Sequence, residues 1–329
     1  MMNQLIAKFP NQLVEALEIG EAATINRHSE TIHKVYVAGL GGSGIGADFV
    51  KGFIREESTV PYCVGKGYTI PQHVDKHTLA ICSSYSGNTE ETLACFNQML
   101  TTGAKIVIIS SGGKLIEEAK QRGLDYIQVP SDWPSPRACL GYSIVQQLYI
   151  LFKLDIIDGA FKDQFRSAID LIKFDQEAIQ AAAKKVAERT YDKLPIIYVT
   201  DRMEAVAVRL RQQINENAKM LCWHHVIPEM NHNELVGWTE NHPDKAIIYL
   251  RNRDDLRRNQ VRIDINQKII SKYSDTIIDI FSKGNSLIEK SIYLVHLGDW
   301  ISWYLSEKKG ADAIEIDVID YLKAELAKV

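Results

Sequence analysis

Two turns rich in glycine and hydroxyl side chains each follow directly after a short apolar run. The first turn, GLGGSG at 39–44, comes after Val35–Ala38, and the second, SSYSGNTEE at 83–91, comes after Leu79–Cys82. This pattern is typical of a buried strand that passes into a helix. In an open parallel sheet such junctions lie at the carboxyl edge, where ligands bind. The two turns together therefore predict a cradle for one phosphate ester.

Short apolar runs alternate with helical patterns through the first half of the chain. Strands are predicted at five runs: Val35–Ala38, Val60–Val64, Leu79–Cys82, Lys105–Ser110 and Tyr126–Val129. Helices are predicted around and between these runs: Asn11–Ile19, Ala47–Ile54, Glu90–Leu100, Lys114–Arg122 and Gly141–Leu154. Such alternation is typical of a parallel sheet that is covered by helices on both faces.

A long charged helix is predicted at Ala160–Arg189, and the strand and helix patterns then restart. The second set has strands at Leu194–Thr200, Ala246–Leu250 and Thr276–Ile280, and helices at Met203–Lys219, Lys268–Tyr273, Ser286–Tyr304 and Val318–Lys328. A chain of 329 residues is long enough for two domains with full cores. The predicted fold class is α/β with two domains, residues 1–155 and 191–329, joined by a helical connector at 156–190.

Composition narrows the class of protein. The formal net charge is −4 and the sequence shows no basic stripe, which argues against a nucleic-acid partner. The sequence also lacks an apolar run of the length that a membrane span needs. Five cysteines, an odd number without C-x-x-C spacing, argue against a disulfide framework or a zinc ribbon. These features predict a cytoplasmic protein.

A dinucleotide site is the first alternative for the glycine-rich turn. Gly39, Gly41 and Gly44 match the spacing G-x-G-x-x-G. That fingerprint also needs an acidic residue about 20 positions later to hold a ribose, and the corresponding stretch 64–67 reads VGKG. The second turn has hydroxyls where free N–H groups and the helix dipole favour an anion. Helix capping explains only one of those hydroxyls, so phosphate binding is favoured.

Several motifs in order along the chain resemble one family. The two turns resemble the phosphosugar loops of sugar isomerase (SIS) domains. Pro136-Arg137-Ala138 and the stretch PEMNHNE at 228–234, followed by Gly237 and Trp238, resemble the bifunctional phosphoglucose/phosphomannose isomerases of archaea and bacteria. The matches span residues ~35 to ~325. The resemblance implies two tandem SIS domains, a homodimer, a phosphosugar substrate and no cofactor.

The resemblance also implies roles for individual residues. The substrate phosphate would be held by Gly42, Ser43, Ser84, Ser86 and Thr89. Glu216 would be the base that moves a proton between C1 and C2, and the partner subunit's His232 would assist ring opening. Arg137 would steady the negative charge of the enediolate. Lys323 resembles the C-terminal active-site lysine of the family.

The chemistry of aldose–ketose isomerisation agrees with these roles. The reaction needs a positioned base, a group that opens the hemiacetal and a cation near the developing oxyanion, and it requires no metal. Each residue also has a simpler interpretation: Glu216 as a solvated carboxylate at a helix end, His232 as an ordinary loop histidine, and Lys323 as a surface lysine. The residues alone favour the solvated interpretation of Glu216, and the resemblance is what favours the base. For His232, the neighbouring Asn231, Asn233 and Glu234 argue against a purely apolar setting.

Three further alternatives follow from the sequence. A metal site is suggested by His224, His225, His232 and Glu234, but adjacent histidines in a strand point to opposite faces and no H-E-x-x-H pattern is present. A non-catalytic phosphosugar-binding protein would need the turns alone. An isomerase of another phosphosugar would keep the same motifs. The stretch 311–319 has no threonine, which the resembling family uses to admit the mannose epimer, so glucose 6-phosphate is the better supported substrate.

Overall fold

The computed structural model describes residues 1–328 as two compact units. The N-terminal unit comprises residues 8–170 with 286–288, and the C-terminal unit comprises residues 1–7, 171–285 and those from 289 onward. Each unit is built on a parallel sheet flanked by helices, which confirms the predicted α/β class. Among the described helices, none has both the length and the apolar character needed to cross a bilayer.

The helices and strands are numbered along the chain. The helices are α1 (Met2–Ala7), α2 (Phe9–Ala22), α3 (Gly41–Phe53), α4 (Glu90–Met99), α5 (Gly113–Arg122), α6 (Leu140–Lys153), α7 (Ala160–Phe174), α8 (Gln176–Thr190), α9 (Glu204–Ala218), α10 (Arg257–Ile270), α11 (Leu287–Lys309) and α12 (Asp317–Leu326). The strands are β1 (Lys34–Ala38), β2 (Tyr62–Gly65), β3 (Thr78–Ser83), β4 (Lys105–Ser110), β5 (Asp125–Gln128), β6 (Leu194–Thr200), β7 (Trp223–Ile227), β8 (Lys245–Arg251) and β9 (Ile277–Phe281).

The sheet of the N-terminal unit has five parallel strands in the order β2-β1-β3-β4-β5. Its strands are short apolar runs because both faces are covered, and every residue of β3 is buried. β1 lies between β2 and β3, and Ala38 is in register with Cys82 at the carboxyl end. The connections that follow β1 and β3 therefore leave in opposite directions, which opens a crevice between them.

Helix α3 begins six residues earlier than the sequence predicted, at Gly41 rather than Ala47. The glycine-rich turn is thus the first turn of the helix itself. A Cβ on Gly44 would lie 2.5 Å from the carbonyl oxygen of Gly39, and a Cβ on Gly46 would lie 2.2 Å from Oγ of Ser143 on α6. The glycines lower helix propensity, but this close packing requires them.

The sheet of the C-terminal unit has four parallel strands in the order β7-β6-β8-β9. Strand β7 was not predicted, because its sequence WHHVI begins with polar rings rather than an apolar run. It is an edge strand, so only part of it is buried. The predicted helix at Lys268–Tyr273 was wrong in its limits, since α10 spans Arg257–Ile270. The long helix predicted at Ala160–Arg189 is two helices, α7 and α8, which meet at Asp175.

Candidate active site

The two predicted turns lie side by side at the crevice between β1 and β3. A Cβ on Gly39 would lie only 2.8 Å from the carbonyl oxygen of Ser83, so the two backbones are in close contact. Helices α3 and α4 both begin here, and in the described part of the chain neither N-cap residue, Leu40 or Thr89, caps its helix with its side chain. The positive ends of two helix dipoles therefore meet at one edge of the sheet, which favours an anion.

The hydroxyls of the second turn are ordered by the turn itself. Oγ of the buried Ser84 lies 2.7 Å from Oγ1 of Thr89 and accepts the Gly87 amide at 3.2 Å. Ser86 is exposed, and its Oγ accepts the Asn88 amide at 3.2 Å. Gly87 has φ +69°, and a Cβ there would lie 1.9 Å from the Gly112 carbonyl oxygen, so only glycine fits. These bonds fix the turn without using Thr89 as a helix cap.

A third motif packs against the first turn. Arg137 lies in a short 3₁₀ turn, Pro136–Ala138, and is buried. A Cβ on Gly42 would lie 3.3 Å from the Pro136 carbonyl oxygen and 3.8 Å from Cα of Arg137. A cavity of ≈ 20 Å³, about the space of one water molecule, lies where the three motifs meet. Its lining includes Gly42, Ser43, Ser83, Tyr85, Pro136 and Ser143. The N-terminal unit thus brings both turns and the Arg137 turn together.

Glu216 lies in the last turn of α9 and is half-buried. The neighbouring Asn217 is buried, and its side-chain amide donates to Oγ of Ser302 at 2.9 Å. Helix α9 ends at Lys219, whose φ of 52° and ψ of 40° are left-handed. Because α9 connects β6 to the parallel strand β7, its end lies near the amino edge of the sheet.

His232 lies beyond the other end of β7, in a loop of two short 3₁₀ turns, and is exposed. Strand β7 has five residues, which span roughly 16 Å at ~3.3 Å per residue. Glu216 precedes this strand and His232 follows it. Within one chain the structure therefore places the two predicted acid–base residues at opposite edges of the sheet.

Glu234 is a candidate metal ligand in the sequence, but in the structure its carboxylate anchors the His232 loop. One oxygen accepts the Tyr198 hydroxyl of β6, and the other lies 2.6 Å from Nδ1 of His225 in β7. Nε1 of Trp238 donates to the same Tyr198 hydroxyl at 3.2 Å. Burial, and secondly the bond to Glu234, raise the pKa of Tyr198 above its ordinary value. Tyr198 was missed because it lies in an otherwise apolar strand.

The His232 loop is also held on its other side. Met230 is fully buried, and the side-chain amide of Asn231 donates to Oδ1 of Asn266 on α10 at 2.7 Å. Nε2 of His224 lies 3.8 Å from Oε1 of Glu204. Within residues 1–328, no group of three or more His, Cys, Asp or Glu side chains has an arrangement suited to a metal ion.

Lys323 lies on α12, a helix without buried residues. Its side chain is 67% exposed, and Nζ lies 3.5 Å from Oδ1 of Asp320 on the same helix. The helix also carries an exposed apolar set: Val318, Ile319, Tyr321, Leu322 and Leu326. The active-site role of Lys323 stays a prediction.

Two parallel-sheet units, one with hydroxyl-rich turns at the start of two helices, define the fold of a phosphosugar-binding SIS protein. Residues 179–326 match the family model described as "Bacterial phospho-glucose isomerase C-terminal SIS domain". A solved structure of a putative phosphosugar isomerase from Clostridium difficile covers 96% of this chain and 95% of its own, with a TM-score of 0.75 at 15% sequence identity. That likeness confirms the fold.

Sequence relatives narrow the class to one family. The chain is 37% identical to the bifunctional phosphoglucose/phosphomannose isomerase of Caldicellulosiruptor bescii, over 100% of this chain and 99% of the relative. It is also 37% identical to the protein of the same name from Aquifex aeolicus, over 89% of this chain and 90% of the relative. The chain therefore belongs to the bifunctional phosphoglucose/phosphomannose isomerase family, which confirms the resemblance that the motifs indicated.

A substitution at Glu234 tests whether its carboxylate holds the His232 loop in place. Glu234→Gln keeps the shape of the side chain but removes the charged acceptor shared by Tyr198 and His225. A hydrogen bond to a charged group contributes about 1.5–3 kcal/mol, so we expect a loss of that order in the free energy of unfolding and faster amide exchange across 228–238. Denaturant unfolding and hydrogen exchange measure both.

Glu229→Gln is the matched control, because Glu229 lies in the same loop, is exposed and accepts only a surface bond from Asn233 at 2.9 Å. Exposed substitutions usually change stability by less than about 0.5 kcal/mol. Equal exchange rates in the two variants would show that Glu234 does not anchor the loop.

Proposed function

We propose that this protein interconverts glucose 6-phosphate and mannose 6-phosphate with fructose 6-phosphate through a cis-enediol, without a metal or redox cofactor. Full-length similarity to enzymes named for both aldose activities carries the proposal. The proposal includes two SIS domains, at 1–155 and 191–329, joined at 156–190, and a cytoplasmic location. Mannose 6-phosphate is the less supported substrate, since the stretch 311–319 lacks threonine.

The substrate phosphate would bind at the crevice between β1 and β3. Its ligands would be Gly42, Ser43, Ser84, Ser86 and Thr89. Two uncapped helix starts and the paired hydroxyls of Ser84 and Thr89 support this assignment. A phosphate oxygen could accept from these hydroxyls in place of the bond that they make to each other, so binding would cost little rearrangement.

Replacing both Ser84 and Thr89 with alanine tests this site. Each lost hydrogen bond to a charged group should weaken binding roughly 10- to 100-fold. Calorimetry with fructose 6-phosphate measures the change. Thr101→Ala, at the far end of the same helix region where Oγ1 donates to the Gln98 carbonyl at 2.9 Å, is the control and should bind as the wild type does. Unchanged affinity in the double variant would refute the phosphate assignment.

The acid–base steps would use the residues at the two edges of the second sheet. Glu216 would take the proton from C2 or C1 and return it to the other carbon. During ring opening, the partner subunit's His232 would take the proton of the anomeric hydroxyl and give a proton to the ring oxygen. Arg137 would stabilise the enediolate oxygen, and Lys323 would contribute a further cation.

Glu216→Gln tests the base. The amide keeps the shape of the side chain but cannot accept the proton, so turnover should fall about 10²- to 10⁴-fold. Fructose 6-phosphate should still bind, and exchange of the C2 hydrogen of glucose 6-phosphate with solvent deuterium should be lost in parallel. Glu204→Gln, in the first turn of the same helix, is the control. Normal turnover in Glu216→Gln would exclude Glu216 as the base. If the wild-type protein lost its turnover on dialysis against a chelator and recovered it when zinc was added, the metal-free route would be excluded.

The same geometry supports a site that is shared between two chains. Glu216 and His232 lie at opposite ends of β7, so the two residues of one protein chain are too far apart to act on the same sugar molecule. A two-fold dimer solves this, because each chain then lends one residue to each site. The exposed apolar face of α12 supports such an association, since exposed apolar surface marks interaction sites.

Mixed dimers of Glu216→Gln and His232→Ala test the shared site. In a shared arrangement one site carries both defects and the other carries neither. The purified mixed dimer, isolated with two different tags, should recover about half of the wild-type turnover. Each parent dimer should stay inactive. If both residues came from one chain, every site would carry one defect, so an inactive mixed dimer would refute the shared site and leave the isomerase proposal standing.

A further inference from the structure

Lys219 occupies a backbone position that favours glycine. It follows the last residue of α9, and its φ of 52° and ψ of 40° are in the left-handed region. Helices that end in this conformation usually place glycine or asparagine there, because a Cβ makes it unfavourable. A lysine at this position points to a function of the side chain that outweighs the conformational cost.

The Lys219 ammonium binds three backbone carbonyls. Nζ donates to the oxygen of Glu216 at 2.8 Å, of Asp312 at 2.7 Å and of Glu315 at 2.7 Å. A lysine ammonium has three N–H donors, so all are used. A carboxylate oxygen of Glu315 lies 3.7 Å away and balances the charge. One side chain thus joins the last turn of α9 to the segment 312–315.

The joined segment leads directly into α12. Ala313 in this segment is buried, and the Ile314 amide donates to Oδ1 of Asp312 at 2.8 Å, which makes the segment compact. A second lysine completes the connection, since Nζ of Lys309, at the end of α11, donates to the Lys219 carbonyl at 2.5 Å. Three elements of the C-terminal unit therefore meet at Lys219: the ends of α9 and α11 and the start of the path to α12.

We propose that Lys219 is a positioning residue that holds the Glu216 end of α9 against segment 312–315. This proposal rests on Glu216 as the base. The bond to the Glu216 carbonyl fixes the backbone of that residue, and the bonds to the Asp312 and Glu315 carbonyls fix segment 312–315 beside it. Because a displacement of about 1 Å can cost 10²-fold in rate, loss of this connection would reduce turnover while the phosphate turns in the other unit still bind substrate.

The test uses Lys219→Gly with Asp192→Gly as its matched control. Asp192 lies in the turn between α8 and β6 and also has a left-handed φ, of 62°. Both changes relieve the same backbone strain, but only the first removes the three-carbonyl contact. In Lys219→Gly we expect kcat to fall at least about tenfold, KM for fructose 6-phosphate to change little, and amide exchange across 311–316 to accelerate. Asp192→Gly should leave all three unchanged.

Two more variants separate positioning from folding. Lys219→Met keeps the backbone strain, and Lys219→Arg keeps the charge but replaces the compact ammonium by a planar fork. We expect low kcat in both, with melting temperatures near that of the wild type. Wild-type turnover in Lys219→Gly would overturn the proposal. The proposal would also be overturned if Lys219→Gly and Lys219→Met lost turnover only in proportion to the protein that fails to fold. Normal turnover in Glu216→Gln would instead refute the base, so the two failures are distinguishable.

Discussion

The order of strands in each sheet is the constraint on which the rest of the structure depends. In the N-terminal unit β1 lies between β2 and β3, and in the C-terminal unit β6 lies between β7 and β8 in the same arrangement. The connection after β1 runs to one side of the sheet and the connection after β3 runs to the other, and the same holds for β6 and β8. A crevice opens at the carboxyl edge between two such strands, because their connections cover opposite faces of the sheet. Each unit therefore has one crevice at the carboxyl edge of its sheet.

The two units fill these crevices differently. In the N-terminal unit the turns after β1 and β3 have small side chains and hydroxyls. In the C-terminal unit Asp255 occupies the corresponding edge: its carboxylate accepts the Thr200 hydroxyl at 3.2 Å and the backbone amide of Asn252 at 3.3 Å. A carboxylate of the chain itself thus lies at this edge of the C-terminal sheet. The crevice of the N-terminal unit is the one proposed for the phosphate, and the C-terminal unit carries the proposed acid–base residues Glu216 and His232.

Sequence patterns predicted those elements whose identity depends on local apolar runs. Val35–Ala38 and Leu79–Cys82 are buried on both faces, so their strands and the turns after them were predicted close to their observed limits. The start of α3 was not, because glycine is a poor helix former and the close contacts that require it, of Gly44 with Gly39 and of Gly46 with Ser143, are visible only in the structure. Lys219 and the Tyr198–Glu234–His225 network were also missed, because contacts such as Lys219 to Asp312 and Tyr198 to Glu234 join residues that are distant in sequence.

The two proposed acid–base residues are held by the same physical means, although they lie at opposite edges of one sheet. Lys219 binds carbonyls beside Glu216, and the Glu234 carboxylate binds Tyr198 and His225 beneath the loop of His232. In both cases a charged, half-buried side chain makes hydrogen bonds that hold the neighbouring backbone or loop in place. Charge-assisted bonds are stronger than neutral ones, so they can fix short, irregular segments that lack helix or sheet hydrogen bonds. The proposed site, which two chains would share, would need this local rigidity, because neither residue could rely on the other for its orientation.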